Sequence, residues 1–422
     1  MIKKQLARYR TALGIIGVIL LMASTFSYAM FQGGFVSWFL FYSVVPLALY
    51  TFFIFIVPLS RLTVERHIEK NTFIAGERVE VKVTVKSRIP LPLFYLVVYD
   101  HLPKRFAQFT REKEPEYQNQ AKALLFPLFR KSASYSYVID PIPRGIHTFQ
   151  SVTVETGDLF GFLAKSTEIP LEKSIQVYPR TQPLSGWNMF DTHPSGVKKI
   201  GKQAQQDFTS AVSIRDYTPG DKLSWLHWKA TARSNKLVTK VFETQRNDDF
   251  LVFLDGSHPG FQRNGQEMFE RAVSLGASLL KHAVSSGTTV EFHTVANQHT
   301  KLTFQSGQNF EAKWMHHLAR IEPDTSSSLT GVLKHEVHEM GKGVSVLIIT
   351  SDLSDSFIHT IERMAANKIQ TMFFYMMNKK ILTSEEQYVI TRLRARNIVV
   401  YPVNMDDFSE VVKAGAQNAT SS

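Results

Sequence analysis

The side chains best suited to recognising a partner crowd into one run, Arg215 to Arg233. Arg215, Asp216, Tyr217, Gly220, Asp221, Trp225, Trp228, Lys229 and Arg233 put charges of both signs beside two tryptophans. Thr218-Pro219-Gly220-Asp221 is a turn signal, because proline presets one dihedral and glycine frees the next. Asp221 is placed to cap a short helix in which Trp225, Trp228 and Ala232, spaced three and four apart, share a face. The charged residues then flank that face. A solvated loop rarely spends two tryptophans, so the run docks on something large. Either it packs on its own domain ahead of the first core strand, or its charged rim meets a partner. His227 is a base by type, but no acid stands near it in sequence.

Other chemistries find less support. The chain has no cysteine, which excludes disulfides, thiolate metal sites and a cysteine nucleophile. It contains neither a phosphate-binding Gly-x-x-x-x-Gly-Lys loop nor a Gly-x-Ser-x-Gly elbow, and Gly341-Lys342-Gly343 reads as a helix stop. His335-Glu336-Val337-His338-Glu339 lacks the four-residue histidine spacing of a zinc protease and reads as a polar helix surface. Trp225 and Trp228 among lysines have the make-up of a stacking platform, but no nucleic-acid fold accompanies them.

The elements that must position these residues divide into three kinds. Lys3, Lys4, Arg8 and Arg10 precede an uncharged run from Thr11 to Phe31, and a second runs from Phe35 to Val57 before Arg61 and Arg66. Each is long enough to cross a bilayer. Basic residues flank both outer ends and none lies between, so both ends are expected in the cytoplasm. Cleavage after Ser27-Tyr28-Ala29 would leave the second span and the same address for the bulk of the chain. A formal charge of +11 suits the neighbourhood of anionic lipid.

From residue 61 to 180 strands follow one another. Val79, Val81, Val83 and Val85 alternate with polar residues, and Leu93–Tyr99, Tyr135–Ile139 and Val152–Glu155 continue the pattern. A small antiparallel β-sandwich of immunoglobulin-like kind is expected, with Lys104 to Lys122 as a polar loop. Residues 181–206 read as a linker with a basic cluster at Lys198, Lys199 and Lys202. Residues 207–415 then alternate strand and helix. Apolar strands at 250–254, 290–295, 344–349, 370–376 and 398–403 between amphipathic helices indicate a doubly wound parallel sheet, whose ligands sit at the strands' carboxyl ends. Residues 416–422 read as a disordered tail.

Arg215-Asp216-Tyr217-Thr218-Pro219-Gly220-Asp221 followed by Trp228-Lys229-Ala230-Thr231-Ala232-Arg233 resembles the signature of the family called domain of unknown function 58. Pro143-Arg144-Gly145-Ile146-His147, Gly157-Asp158-Leu159-Phe160-Gly161 and Val177-Tyr178-Pro179 look like further landmarks of it. The resemblance implies a membrane-anchored protein with a von Willebrand A-like α/β domain, often encoded beside MoxR-type AAA+ ATPases. It implies no settled activity. In von Willebrand A-like domains a strand-end Asp-x-Ser-x-Ser, a threonine and a second aspartate hold a divalent cation through hard oxygen donors. Asp255, Ser257 and Asp352 match three of these positions as ligands for Mg²⁺. Pro259 stands where the second serine is required, and Thr325-Ser326-Ser327-Ser328 gives no clean match to the threonine. The expectation is therefore a non-enzymatic, membrane-held protein-binding module with a MoxR-like ATPase or its client as partner. A membrane-bound, divalent-metal-dependent hydrolase using Asp255 and Asp352 is the alternative.

Overall fold

The computed structural model describes residues 2–88, 90, 93–103, 105–106, 120–184, 211–217, 226–234, 236–242, 250–261, 265–286, 290–296, 298–304, 309–336, 344–379, 381–404 and 408. The linker's Lys198, Lys199 and Lys202 and the tail 416–422 lie outside them, as do Gly220, Asp221 and Trp225 of the signature run. The chain divides into two compact units, Met1–Arg180 with Met315–Ile321, and Thr181–Trp314 with Glu322–Ser422.

The first unit opens with helices α1 (Ile2–Gln32) and α2 (Phe35–Ile56). Gly33 and Gly34 join them at φ of 60° and 93°, left-handed values that cost glycine nothing. Leu13–Gln32 and Phe35–Ile56 are each long and apolar enough to cross a membrane. Leu13, Ile19, Phe39 and Phe52 on these helices are all more than half exposed, so the helices do not spend their apolar surface on a protein core.

Eight strands follow: β1 (Thr63–Ile68), β2 (Thr72–Ile74), β3 (Val79–Lys86), β4 (Leu96–His101), β5 (Gln120–Leu125), β6 (Ser132–Ile139), β7 (Gly145–Gly157) and β8 (Ala164–Tyr178). They form two sheets, ordered β1-β3-β6 and β2-β8-β7-β4-β5. Alternation in β3 buries its four valines, and they meet Leu96, Val98, Val152 and Val154 of the other sheet in one core. All pairings are antiparallel except β2 with β8, which is parallel. An all-antiparallel reading is corrected at that edge, where a three-residue strand adds to β8. The stretch Lys104–Lys122 is not loop throughout, because β5 begins at Gln120.

Inside this core Arg66 and Asp100 form a buried ion pair, Nε to Oδ2 at 3.0 Å with a second short contact from Nη2 to Oδ1. Arg66 also donates to the Leu171 carbonyl at 2.6 Å, and the Tyr137 hydroxyl donates to Asp100 at 2.7 Å. Burial, then the adjacent Asp100 charge, pushes the Tyr137 hydroxyl far above its ordinary range, so it stays a proton donor. Arg66 is thus spent inside the sandwich and is not a surface charge flanking the second helix; Arg61 remains exposed.

Lys165 of β8 donates to the carbonyls of Ile54 and Val57 at 3.0 and 3.1 Å and, more closely, to that of Phe55. A cation on the bare carbonyls of a helix C-terminus offsets both their unmet bonding and the helix dipole. The landmark Gly157–Gly161 is the β7–β8 turn. Buried Asp158 accepts from the backbone N–H of Phe160 and Leu163 at 3.0 and 2.5 Å, and Gly161 takes φ 78°.

The second unit holds β9 (Ala211–Asp216), α3 (Trp228–Ser234), β10 (Val238–Phe242), β11 (Phe250–Asp255), α4 (Gln266–Ser285), β12 (Val290–Val295), β13 (His299–Phe304), α5 (Asn309–Arg320, cut by the division at Met315), α6 (Leu329–Glu336), β14 (Ser345–Thr350), α7 (Asp355–Ala366), β15 (Gln370–Met376), α8 (Ser384–Arg394) and β16 (Val399–Val403). β9 and β10 pair antiparallel on their own. The other strands form one sheet, β13-β12-β11-β14-β15-β16. Five of them run parallel, and every residue of β11 and β14 is buried, as a sheet covered on both faces requires. The wholly parallel reading is corrected at β13, an antiparallel edge strand. Strand order reverses between β11 and β14, which opens a crevice at their carboxyl ends.

Candidate functional site at the strand ends

That crevice is where the structure brings Asp255, Ser257 and Asp352 into one hydrogen-bonded system. β11 delivers Asp255 as its last residue, 1% exposed. Its Oδ1 accepts from the backbone N–H and hydroxyl of Ser257, at 2.8 and 2.7 Å. Its Oδ2 accepts a short bond from the hydroxyl of Thr350, the last residue of β14. Thr350 Oγ1 in turn accepts from the Asp352 N–H at 3.0 Å, so it links the two aspartates. Asp352 Oδ1 closes a local turn by accepting from Ser354 at 2.8 Å. The segment 324–329 lies alongside: the Asp324 N–H donates to the Gly256 carbonyl at 2.9 Å, and the Leu329 N–H to Ser257 Oγ at 3.2 Å. His258 Nδ1 sits 3.0 Å from the Ser351 hydroxyl.

Burial pushes the Asp255 carboxyl above its ordinary range, and its three hydrogen bonds and His258 pull it back only in part. The donors are the hard oxygens that Mg²⁺ prefers. Ser257 gives its proton to Asp255 and one lone pair to Leu329, each Asp255 oxygen accepts at least one hydrogen bond, and Pro259 offers no side-chain oxygen. The carboxylate and hydroxyl oxygens keep further lone pairs beyond these bonds, so the arrangement is compatible with a cation and with a purely structural role. Thr350, which ties the two strand ends together, was not a candidate from sequence because an apolar strand ending in threonine is unremarkable.

Of the signature run, the described residues end β9 and form α3. The cap expected at Asp221 lies outside the described residues, and α3 starts at Trp228, which puts the capping place at the residue before it. His227 takes that place: its Nδ1 accepts from the Ala230 N–H at 3.1 Å, and its carbonyl from Ala230 and Thr231. Two further bonds fasten the helix to β10, His227 N–H to the Val238 carbonyl at 2.8 Å and Val238 N–H to the Thr231 hydroxyl at 3.1 Å. Trp228, on this secured helix, is 67% exposed, and Lys229 and Arg233 are exposed beside it. Tyr217 is half-buried, and Arg215 and Asp216 end strand β9.

The likeness to known proteins extends over nearly the whole chain. It is 31% identical over 400 residues to the uncharacterized protein YeaD of Bacillus subtilis, covering 94% of this chain and 97% of that one. The model "Protein of unknown function DUF58" matches residues 213–375. The chain belongs to the DUF58 family. The DUF58 match opens in β9, takes in α3 and both strand ends, and closes in β15, so the exposed tryptophan and the aspartate system lie inside it. Solved structures give only distant likenesses. The PilB minor pilin of Streptococcus sanguinis aligns at 7% identity over 77% of this chain and 87% of its own, with TM-score 0.29. The CARDB domain of a Pyrococcus furiosus protein aligns at 15% over 28% and 86%, with TM-score 0.18. Neither value is high enough to carry an argument about fold. Of the His335–Glu339 stretch, Val337, His338 and Glu339 lie outside the described residues, while Glu336 ends α6 close to two histidines from other elements.

Proposed function

We propose that this DUF58 chain is a membrane-anchored protein-binding module that changes no covalent bond. Helices α1 and α2 act as a double anchor, and a cytoplasmic location of both units is supported by the basic residues flanking the outer ends of the two apolar runs. The second unit works as a von Willebrand A-like domain, with the rim around α3 as its recognition surface. Its partner is a MoxR-like AAA+ ATPase or a client of one, as the family resemblance suggests. The observation that carries the reading is Trp228, a large aromatic left two-thirds bare on a short helix tied to β10 through His227 and Thr231. Tryptophan and arginine are the residue types that most often dominate binding energy at interfaces. Asp255 is read as structural, because its carboxylate takes hydrogen bonds from Ser257 and Thr350 and so ties two strand ends together.

The test is affinity capture of the full chain from solubilised membranes together with the MoxR-type ATPase of the same organism. Replacing Trp228 by alanine is expected to weaken capture at least tenfold, about 1.4 kcal/mol, while the unfolding midpoint stays put because the side chain is mostly in solvent. Equal capture by wild type and variant, or hydrolysis of peptide or ester substrates that stops on replacing Asp255, would overturn the reading.

A further inference from the structure

Apart from the strand ends, the described residues bring three metal-type donors together at one place in the second unit. His293 of β12, His299 of β13 and Glu336 at the end of α6 hold ligand atoms within 4.8 Å of one another. Strand pairing creates the juxtaposition: β12 and β13 run antiparallel with Val295 opposite His299, which brings the two histidines side by side. His293 is wholly buried and packs, tilted by 34°, against the Phe253 ring at 4.4 Å between centroids. Its Nε2 lies 2.8 Å from a carboxylate oxygen of Glu291, which Lys301 holds in turn at 2.6 Å. A carboxylate there fixes the hydrogen on Nε2 and leaves Nδ1 with a lone pair. That lone pair faces His299 Nε2 at 2.8 Å.

We propose that His293, His299 and Glu336 form a binding site for Zn²⁺ or a similar late first-row divalent ion, with a fourth position open. Two imidazoles and one carboxylate are a donor set for such ions, not for Mg²⁺ or Ca²⁺. The Glu291–His293 bond is the orienting contact that metal-bound histidines regularly carry on their far nitrogen. Zinc with bonds of about 2.0–2.1 Å sets tetrahedral neighbours roughly 3.3 Å apart. The ring nitrogens must therefore open slightly from 2.8 Å and the carboxylate must close in. His299 is exposed and Glu336 half-buried, so they have room to turn, while His293 stays fixed. Binding also moves the His299 proton to its Nδ1, which leaves charge unchanged. The site shares no residue with the Asp255 system.

The test uses the full chain, purified in detergent through a tag without histidine and stripped with a chelator, then titrated with Zn²⁺ and Co²⁺. Expected are one equivalent of Zn²⁺ per chain and a Co²⁺ visible spectrum of low-coordinate type. His299→Ala, at an exposed position that leaves the core intact, is expected to abolish both. Glu291→Gln is expected to lower affinity about 10–100-fold through the orienting contact. Asp352→Asn is expected to change neither. Absence of stoichiometric Zn²⁺ binding in the folded wild type, or binding that survives His299→Ala and Glu336→Gln together, would overturn the proposal.

Discussion

At the scale of single residues, two buried carboxylates are held by different kinds of partner, and the difference is checkable. Asp100 has a cationic partner in Arg66, whereas Asp255 is held by three neutral donors. Replacing Asp100 by alanine leaves the Arg66 charge buried, and such uncompensated ions cost about 3–5 kcal/mol. Chemical denaturation of the full chain in detergent is expected to show that loss, with Arg66→Ala comparable. The folded-state pKa of Asp255 is raised above the ordinary value of 3.8 by burial. The folded state therefore binds this proton more tightly than the unfolded chain does. Its contribution to stability grows as pH falls through the raised value and levels off below the ordinary one. Asn keeps the acceptor for Ser257 and removes the ionisation. Asp255→Asn is thus expected to hold the neutral-pH midpoint and to lose the gain that wild type shows on mild acidification. Asp255→Ala strands the Ser257 and Thr350 donors at about 1–3 kcal/mol each. A midpoint that tracks wild type in its pH slope after Asp255→Asn would remove this account.

At the scale of elements, a pair of glycines one helical turn apart separates packing from propensity. A Cβ at Gly14 would lie 1.6 Å from the carbonyl oxygen of Phe162 in the β7–β8 turn, while one at Gly17 would meet nothing within 4 Å. Gly14→Ala is expected to push α1 off that turn and lower the thermal midpoint. Gly17→Ala is expected to leave it level or raise it slightly, since alanine is the better helix former. Equal midpoints would mean that the turn and the helix do not meet. Elements also show what the sequence discloses. Val290–Val295 and Gln370–Met376 emerge as strands with the bounds that apolar continuity sets, because both faces of their sheet are covered. β8 is hidden although it spans Ala164–Tyr178. Its inward positions include Lys165, Thr167 and Lys173, which hide the apolar alternation, and Pro170 reads as a break. The proline is tolerated because it faces the irregularity between Phe149 and Ser151 of β7. β13 is hidden for a related reason: an edge strand in solvent needs no apolar run. The His293 cluster was out of reach altogether, because its members come from three elements and meet only once strand register is known. Asp255 and Asp352 could be picked out at strand ends, but not that Thr350 would join them.

At the scale of the whole first unit, the same logic of unburied apolar surface points to the lipid. The sandwich edge beside α2 carries Phe94, Phe126, Leu128 and Phe129 at 45–72% exposed, and the β7–β8 turn adds Leu159 and Phe160 at 56%. Leu128 and Phe129 are held in left-handed backbone at φ 43° and 67°, which non-glycine residues adopt at a cost. Tyr50 of α2 joins this edge: its ring meets Phe94 at 4.9 Å, and its hydroxyl accepts from the Phe94 N–H at 3.3 Å. Leu49, Tyr50, Phe53, Leu93, Phe94, Leu128 and Phe129 line an apolar cavity of about 340 Å³. Exposed Arg130 and Lys131 follow directly, where anionic headgroups would lie. In water a patch of this kind is a liability; for a chain held at a bilayer by α1 and α2, it is expected to serve as a second means of attachment. Absence of native cysteine makes the prediction simple to read, because Phe129→Cys carries a single environment-sensitive dye without further changes. In liposomes that dye is expected to shift to the blue and to be quenched by lipids brominated near the headgroup. Phe39→Cys, within α2, is expected to respond to deeply brominated lipid, and Lys82→Cys, at an exposed position of β3, to neither. If Phe39 is silent the spans themselves are in doubt. If Phe39 responds while Phe129 behaves like Lys82, the anchor stands and the apolar edge must face something other than lipid.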